Sequence, residues 1–452
     1  MPPRTSKTTA LRVAVLADSD TRWKWGALTA RRLTTGAPDA PRAADRPVEI
    51  TGLLLRGRAT PTPRQLAEVG DVGIETGRVR EVTAVEFLDT VRNEGYDLVV
   101  LALVGGAVQA MLHGLAALRM AARPVVVTGY VGVVYEKLAD GLLLRHGADV
   151  VLANSRHDAE RFRAVYEGVG ADASAVTEAA LPFLGGAPHR RQEGRDTVVF
   201  AAQPSVPASR ADRTYLLRRL VEHARLHPDR EVLLKLRSKP GEHTTHIEEL
   251  PYQRLAEKLP GGLPPNFSLV YGHMGEVLDR TDLLVTVSST AALESLHRRI
   301  PTAILTDLGV RETLGNHHFI GSGLLTSWDR LDGGSHPEPD EKWLAGQGVA
   351  ADGTYDTAYD TARVRVDALL AEHRLPDLTP YYTPATAPGY LPGILARHHL
   401  APDGHPLPGA AAPRETGGVR GAVRDAVREA ARGAYRQGVQ RVAPVIRRMG
   451  EL

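Results

Sequence analysis

Short apolar runs alternate with longer stretches of helical period along this chain, and the alternation occurs twice. Over residues 11–182, Arg12–Leu16, Glu49–Leu54, Asp97–Val104, Pro124–Thr128 and Asp149–Leu152 read as buried strands, with a last one near Val176–Leu181. Ala107–Ala121, Glu136–His146 and His157–Tyr166 read as helices between them. The polar, glycine-rich segment Gly185–Asp196 then interrupts the pattern and marks a domain boundary. A second series follows: strand Thr197–Ala201, helix Arg210–Leu226, strand Glu231–Leu236, a helix near Tyr252–Leu259 and strand Phe267–Val270. It continues with a short helix near Gly275–Arg280, strand Asp282–Val287, helix Ala291–Arg299 and a strand after Pro301. Strands alternating with helices predict two mainly parallel sheets covered by helices on both faces.

Past Leu375 the pattern changes. Residues 376–413 hold nine prolines in 38 positions, which predicts a linker over 376–416 or an extended segment on the surface. From Gly417 to Leu452 the chain reads as a basic amphipathic helix, with arginines at 420, 424, 428, 432 and 436 forming one stripe. That stripe is compatible with a solvated face or with contact to an anionic inner-membrane surface. The formal charge is only +2, and the tail accounts for more than that, so the remainder is slightly acidic and argues against nucleic-acid binding.

A length of 452 residues predicts two large domains: 11–185 and 196–375, after a disordered start over 1–10. The absence of cysteine excludes disulfides and thiolate chemistry. The basic N-terminal stretch carries too short an apolar core for a secretory signal. Leu98–Val104 and Pro124–Val134, the longest apolar runs, fall short of the roughly 20 residues that span a bilayer. The expected location is cytoplasmic, with the tail as a peripheral membrane contact.

The segment Thr281–Leu305 is the most informative: a strand, the hydroxyls Ser288, Ser289 and Thr290 at a sharp turn, a helix with Glu294, then Pro301 and another strand. This geometry aims backbone N–H groups at an anion beyond a strand's carboxyl end. Simple helix capping is the competing explanation. The block resembles the nucleotide-sugar half of GT-B glycosyltransferases, especially capsule, polysialyl- and Kdo-transferase-type enzymes. With Asp18–Gly26, which reads D-S-D-x-R-W-K-W-G, residues 10–330 resemble an actinobacterial glycosyltransferase family described as a domain of unknown function. The resemblance implies a GT-B-like α/β fold, two Rossmann-like domains facing a cleft.

In the first domain, Asp18 and Asp20 follow the first strand and are candidates for binding or deprotonating an acceptor hydroxyl. A helix cap is the alternative for them. A D-x-D metal motif normally follows several strands, so no metal is expected there. Trp23 and Trp25 offer faces for sugar stacking or for a core. Gly105 and Gly106 after a central strand allow close backbone approach by an acceptor or serve only a tight turn, and Gly129 and Tyr130 after the next strand are acceptor-side candidates too. Asn154 and Ser155 read as a helix cap.

In the second domain, Gln203, Ser205 and Arg210 follow the first strand, where GT-B enzymes place a loop near the donor phosphates. Lys235, Arg237 and Lys239 recur at period two, on one side of an extended chain, and cations suit a diphosphate. The capsule-type relatives carry a K-P-H-P-like stretch here, and this chain departs from it, with His243 and His246 as weak substitutes. Ser288, Ser289, Thr290 and Glu294 complete the donor set, with Asn316, His317, His318 and Ser322 further on. The adjacent histidines lack carboxylates at ligand spacing, so no zinc site is expected.

Together with these residues, the resemblance implies a metal-independent glycosyltransferase with no cofactor beyond its nucleotide-sugar co-substrate. Its cationic half would stabilise the leaving phosphate. The resemblance implies a CMP-ulosonic or sialic acid as donor and a cell-envelope polysaccharide or lipid-linked acceptor. Polyol-phosphate transfer, UDP-sugar 2-epimerisation and a non-catalytic scaffold remain as alternatives.

Overall fold

The computed structural model describes residues 10–35, 47–57, 59–69, 72–74, 79–132, 137–192, 194, 196–237, 239, 250–349 and 354–410. They fall into two compact units, one built from the described residues of 1–132, 137–183 and 352–414, the other from those of 184–351. The expected disordered start, His243 and His246, and the basic helix from Gly417 lie outside the described residues.

In the first unit, β1 (Leu11–Ala17), β2 (Val48–Leu55), β3 (Arg80–Val82), β4 (Leu98–Ala102), β5 (Val125–Gly129), β6 (Val150–Ala153) and β7 (Val176–Glu178) form a parallel sheet. Its order is β3-β2-β1-β4-β5-β6-β7. The connecting helices are α1 (Asp20–Thr34), α2 (Pro63–Glu68), α3 (Ala84–Glu94), α4 (Gly105–Ala117), α5 (Leu138–Leu143) and α6 (Arg156–Gly168). The central strands are buried on both faces, which is why they read as continuous apolar runs rather than as alternating patterns.

The second unit repeats the plan. Strands β8 (Thr197–Ala201), β9 (Glu231–Lys235), β10 (Phe267–Val270), β11 (Leu283–Thr286), β12 (Thr302–Leu305) and β13 (Leu325–Thr326) pair in the order β10-β9-β8-β11-β12-β13, all parallel. Its helices are α7 (Arg210–Leu226), α8 (Tyr252–Ala256), α9 (Met274–Leu278), α10 (Ala291–His297), α11 (Trp328–Asp332) and α12 (Glu341–Gly346). Along β8, Val198 and Phe200 enter one apolar cluster while Val199 and Ala201 enter another, so each sheet face has its own core. Both units are therefore Rossmann-like.

The end of the chain differs from its expected placement. The sequence pattern places residues 354–375 in the second half, yet they belong to the first unit with α13 (Asp360–Ala371). The Tyr355 and Tyr359 hydroxyls donate to the Leu181 and Ala180 carbonyls at 2.8 and 2.7 Å, and Arg363 donates to the Arg32 carbonyl. The described part of the expected linker, 376–410, also packs on this unit. Arg123 donates to the Pro376 carbonyl, Gln109 to that of Tyr382, and α14 (Leu391–Ala396) lies on α4. The first unit thus binds the segment through the carbonyls of Pro376 and Tyr382, and its Asp140 accepts from the Tyr382 and Tyr390 hydroxyls. No described helix is long and apolar enough to cross a membrane.

Candidate functional site

In a doubly wound sheet the strand order reverses at one point, and the loops there part to leave a crevice at the carboxyl ends. In the second unit that point lies between β8 and β11. Ala201 is level with Thr286 in the pairing, so Gln203 and Ser288, each two residues further on, emerge side by side. The Gln203 Oε1 accepts from the Ser288 N–H at 3.1 Å and lies 3.2 Å from its Oγ. The Ser288 hydroxyl also reaches the Leu314 carbonyl at 2.5 Å, which ties in the loop after β12. Three loops thus meet at Ser288.

The hydroxyls of the turn serve the turn itself. Thr286 Oγ1 donates to the Ala201 carbonyl and accepts from the Ser289 N–H, while Ser289 Oγ accepts from the Ala291 N–H. This corrects the expectation of three hydroxyls beside unused amides: Ser288 is buried and its amide is bound to Gln203. Thr290 occupies the N-cap of α10, and its side chain makes no capping bond. Ser289, Thr290 and Glu294 are half-buried. Arg298, four residues beyond Glu294, is held by Asp279 and by the Gly185 and Gly275 carbonyls.

The cations differ in their employment. Lys235, at the end of β9, is buried and donates to the Leu236 carbonyl at 2.8 Å. Arg237 is half-buried, Lys239 is exposed near the Tyr271 ring, and Arg210 is exposed in the first turn of α7. Ser205 sits half-buried in the loop after β8. That loop is organised by Arg213, which the sequence reading missed. Arg213 is buried, stacks 4.2 Å from the Tyr252 ring centroid, and donates to the Gln203, Pro204 and Pro207 carbonyls. Its signal was its position: 213, 216, 217 and 220 form the buried stripe of α7, where an arginine must have partners.

Two donor candidates do not join this set. Ser322 is fully buried, and its Oγ accepts from the Leu324 N–H. His318 packs edge-on against Phe319 and Trp343. Asn316 folds its own loop, donating to the Leu305 and Gly309 carbonyls and accepting from the Arg311 N–H.

The first unit reverses its order between β1 and β4, where Ala17 is level with Ala102. Asp18 follows directly. One oxygen accepts from the Val104 N–H at 2.9 Å and the other from Arg22 at 2.8 Å. The cap of α1 is Ser19, and Asp20 lies in the first turn, bonded by Thr21. Trp23 and Trp25 are 1% and 0% exposed, so both belong to the core and neither offers a face for stacking. Their rings splay across the sheet, Trp23 onto Gly52 of β2 and Trp25 onto Gly129 of β5. Gly26 permits this seating, since a Cβ there would lie 2.7 Å from that of Ala102. The W-K-W-G stretch is a packing device.

The glycines are explained in the same way. A Cβ on Gly129 would lie 2.9 Å from the Leu152 carbonyl oxygen, and one on Gly105 would lie 2.8 Å from Leu144. Protein, rather than a ligand, makes the close approach at both. Gly106 has room, its nearest neighbour being Ile394 at 3.7 Å. Tyr130 is covered by Arg145, 3.9 Å from its ring centroid, and its carbonyl accepts from Asn154. Ser155, not Asn154, caps α6. Arg145 is 5% exposed and donates to the Leu103, Gly129 and Gly141 carbonyls. Burial works against its charge and lowers its pKa.

Among the described residues, His223, His227 and Asp332 have ligand atoms within 4.8 Å of one another, close enough to consider a metal. Arg230 lies 2.9 Å from His223 Nε2, and Asp332 lies 2.6 Å from Nδ1. A guanidinium can only donate, so Nε2 accepts and Nδ1–H donates to Asp332. Both ring nitrogens of His223 are then used in hydrogen bonds, and His227 meets it as a ring contact with centroids 4.7 Å apart.

No curated protein matches the chain. Among solved structures, a co-structure of S. aureus MnaA with UDP has 12% identity and a TM-score of 0.50, covering 82% of this chain and 100% of that one. UDP-GlcNAc 2-epimerase from Neisseria meningitidis bound to UDP-GlcNAc has 10% identity and a TM-score of 0.48, over 80% and 100%. The glycosyltransferase SnogD from Streptomyces nogalater has 16% identity and a TM-score of 0.41, over 79% and 95%. At such identities the likeness is one of fold. The family model described as "Putative glycosyltransferase (DUF6716)" matches residues 13–369, and the chain belongs to that family.

Proposed function

We propose that this protein transfers a sugar from a nucleotide-activated donor to a hydroxyl of a cell-envelope polysaccharide or lipid-linked acceptor, without a catalytic metal. The nucleotide binds the second unit at the carboxyl ends of β8 and β11, and the first unit supplies the acceptor side. The observation that carries this reading is the meeting of Gln203 and Ser288 at the point of strand reversal, beside the turn that opens α10. Arg237 and Arg210 supply positive charge for the diphosphate, and Glu294 takes ribose or sugar hydroxyls. Charge building on the leaving phosphate is stabilised by these fixed groups.

Membership in the glycosyltransferase family supports the reaction class. The resemblance to capsule-type enzymes favours a CMP-linked ulosonic or sialic acid, while UDP is the nucleotide held by the S. aureus MnaA co-structure. The test offers CMP-sialic acid, UDP-GlcNAc, UDP-glucose and GDP-mannose to the purified protein, with and without a crude envelope glycan fraction. Acceptor-dependent release of one nucleotide is the expected result. Conversion of a UDP-sugar to its 2-epimer without acceptor would replace this reading with the epimerase one. Tight nucleotide binding with no turnover would favour a scaffold.

A further inference from the structure

The segment 376–410 lies past residue 369, where the family match ends, and it sets three tyrosine rings in a row on the first unit. Tyr381 meets Tyr382 with centroids 5.3 Å apart, and Tyr382 meets Tyr390 at 5.2 Å, each pair edge to face. Asp140, in the first turn of α5, accepts from the Tyr382 hydroxyl at 2.9 Å and from the Tyr390 hydroxyl at 3.0 Å. Burial, and after it the Asp140 carboxylate, raises the pKa of both phenols, so both stay protonated and donate. Packing alone does not explain this row. The anchoring of α14 falls to Leu391, Ile394 and Leu395, all buried. Tyrosines that serve the core, Tyr166 and Tyr359, bury their rings and give their hydroxyls to backbone carbonyls. Tyr390 instead remains 42% exposed while a carboxylate holds its hydroxyl. Asp140 pairs with no cation among the described residues. Its Oδ1 takes two phenol contacts and its Oδ2 one, so Oδ2 keeps a lone pair for a further O–H donor.

We propose that Tyr390 and Asp140 form a glycan-binding site on the first unit, with the Tyr390 ring beneath the C–H face of a neutral hexopyranose and Asp140 accepting from one of its hydroxyls. The site is made of first-unit residues alone and does not depend on the transfer reading. A pyranose has an apolar face and a polar rim, and a tyrosine with an exposed ring and a tied hydroxyl presents the complementary surface. The carboxylate takes hydroxyl donors and repels an acidic sugar, which sets the class as neutral. The ring is already held at its hydroxyl and by the Tyr382 ring, and Gln109 and His113 hold the Tyr382 carbonyl, so little freedom is lost on binding. The role is retention: a polysaccharide gripped along its length stays on the protein whether or not its end reacts.

The test titrates cellohexaose, chitohexaose and mannohexaose into the full chain by calorimetry, with oligosialic acid as the charged comparison. At least one neutral hexasaccharide should bind, and Tyr390→Ala should weaken it at least about fivefold while moving the thermal midpoint by less than about 2 °C. In wild type labelled with fluorotyrosine, the Tyr390 fluorine signal should shift on titration, which reads the site without any substitution. Loss of affinity smaller than about fivefold in Tyr390→Ala overturns the site, as does an unmoved Tyr390 signal or no binding of any of the three at roughly 10 mM. Tighter binding of oligosialic acid than of the neutral sugars overturns the ligand class. No outcome requires turnover, so a protein inert toward every donor that still binds a hexasaccharide through Tyr390 supports this site while the transfer reading fails.

Discussion

Each unit buries an arginine near the carboxyl end of its sheet, stacks it on a tyrosine and gives it backbone carbonyls as partners. Arg145 lies over Tyr130 and reaches Leu103, Gly129 and Gly141, which belong to three separate segments. Arg213 lies over Tyr252 and reaches Gln203, Pro204 and Pro207, all within one loop. The stitch at the strand reversal differs too. The first unit uses a carboxylate, Asp18, against Arg22 and a backbone N–H; the second uses a neutral amide, Gln203, against a serine. In the first unit, charges are consumed in joining segments together. At the reversal in the second unit, neutral groups make the join, while Arg210 opens α7 and Arg237 follows the end of β9. A site for an anionic nucleotide needs the second arrangement, because a fixed carboxylate at that point would repel it.

The largest separation of the two units should come from the arginines. Arg145→Met leaves three carbonyls in different segments without a donor, and should cost about 3 kcal/mol by urea denaturation. Arg213→Met frees one loop and should cost about half as much, while weakening nucleotide binding roughly tenfold. Equal losses of stability would erase the distinction between them.

Glycines sharpen the account of the first unit. Gly129→Ala forces a methyl against the Leu152 carbonyl and should cost about 2 kcal/mol. Gly106→Ala, with ordinary contact space, should stay within about 0.5 kcal/mol. Were Gly106 the costly one, the packing explanation would fail.

The smallest effect concerns pH. Burial lowers the pKa of His113 and His146 in the first unit and of His223 in the second. A depressed folded pKa means that the unfolded chain takes up protons first. Stability present above about pH 6.5 is therefore lost as pH falls through that value toward the folded pKa values. The thermal midpoint should fall between pH 7 and 5.5, and a rise would contradict these environments.

Much of this was legible in the sequence because parallel strands buried on both faces must be apolar throughout. Val13–Ala17 and Leu98–Ala102 could hardly be anything else. The short edge strands Arg80–Val82 and Leu325–Thr326 carry too few residues to announce themselves. Asp18 and Gln203 stood out as polar residues after first strands, but their partners depend on strand order, which local pattern does not encode. For Trp23 and Trp25 the sequence left stacking and core packing both open, since residues two apart on a helix point to different sides. Here Gly26 lets α1 sit so close to β1 and β4 that both rings find cover. The return of Tyr355 and Tyr359 to Leu181 and Ala180 spans more than 170 residues and left no local trace.

The most direct test of the central claim is nucleotide affinity, by calorimetry with CMP and UDP, in wild type, Gln203→Glu and Asp18→Asn. Glutamate at 203 can still accept from Ser288 but adds the charge that the second unit avoids. The account predicts that wild type binds one nucleotide, that Gln203→Glu weakens it at least about tenfold with little change in thermal midpoint, and that Asp18→Asn binds as wild type does. Unchanged affinity in Gln203→Glu, or loss in Asp18→Asn alone, would contradict the assignment of the nucleotide to the second unit.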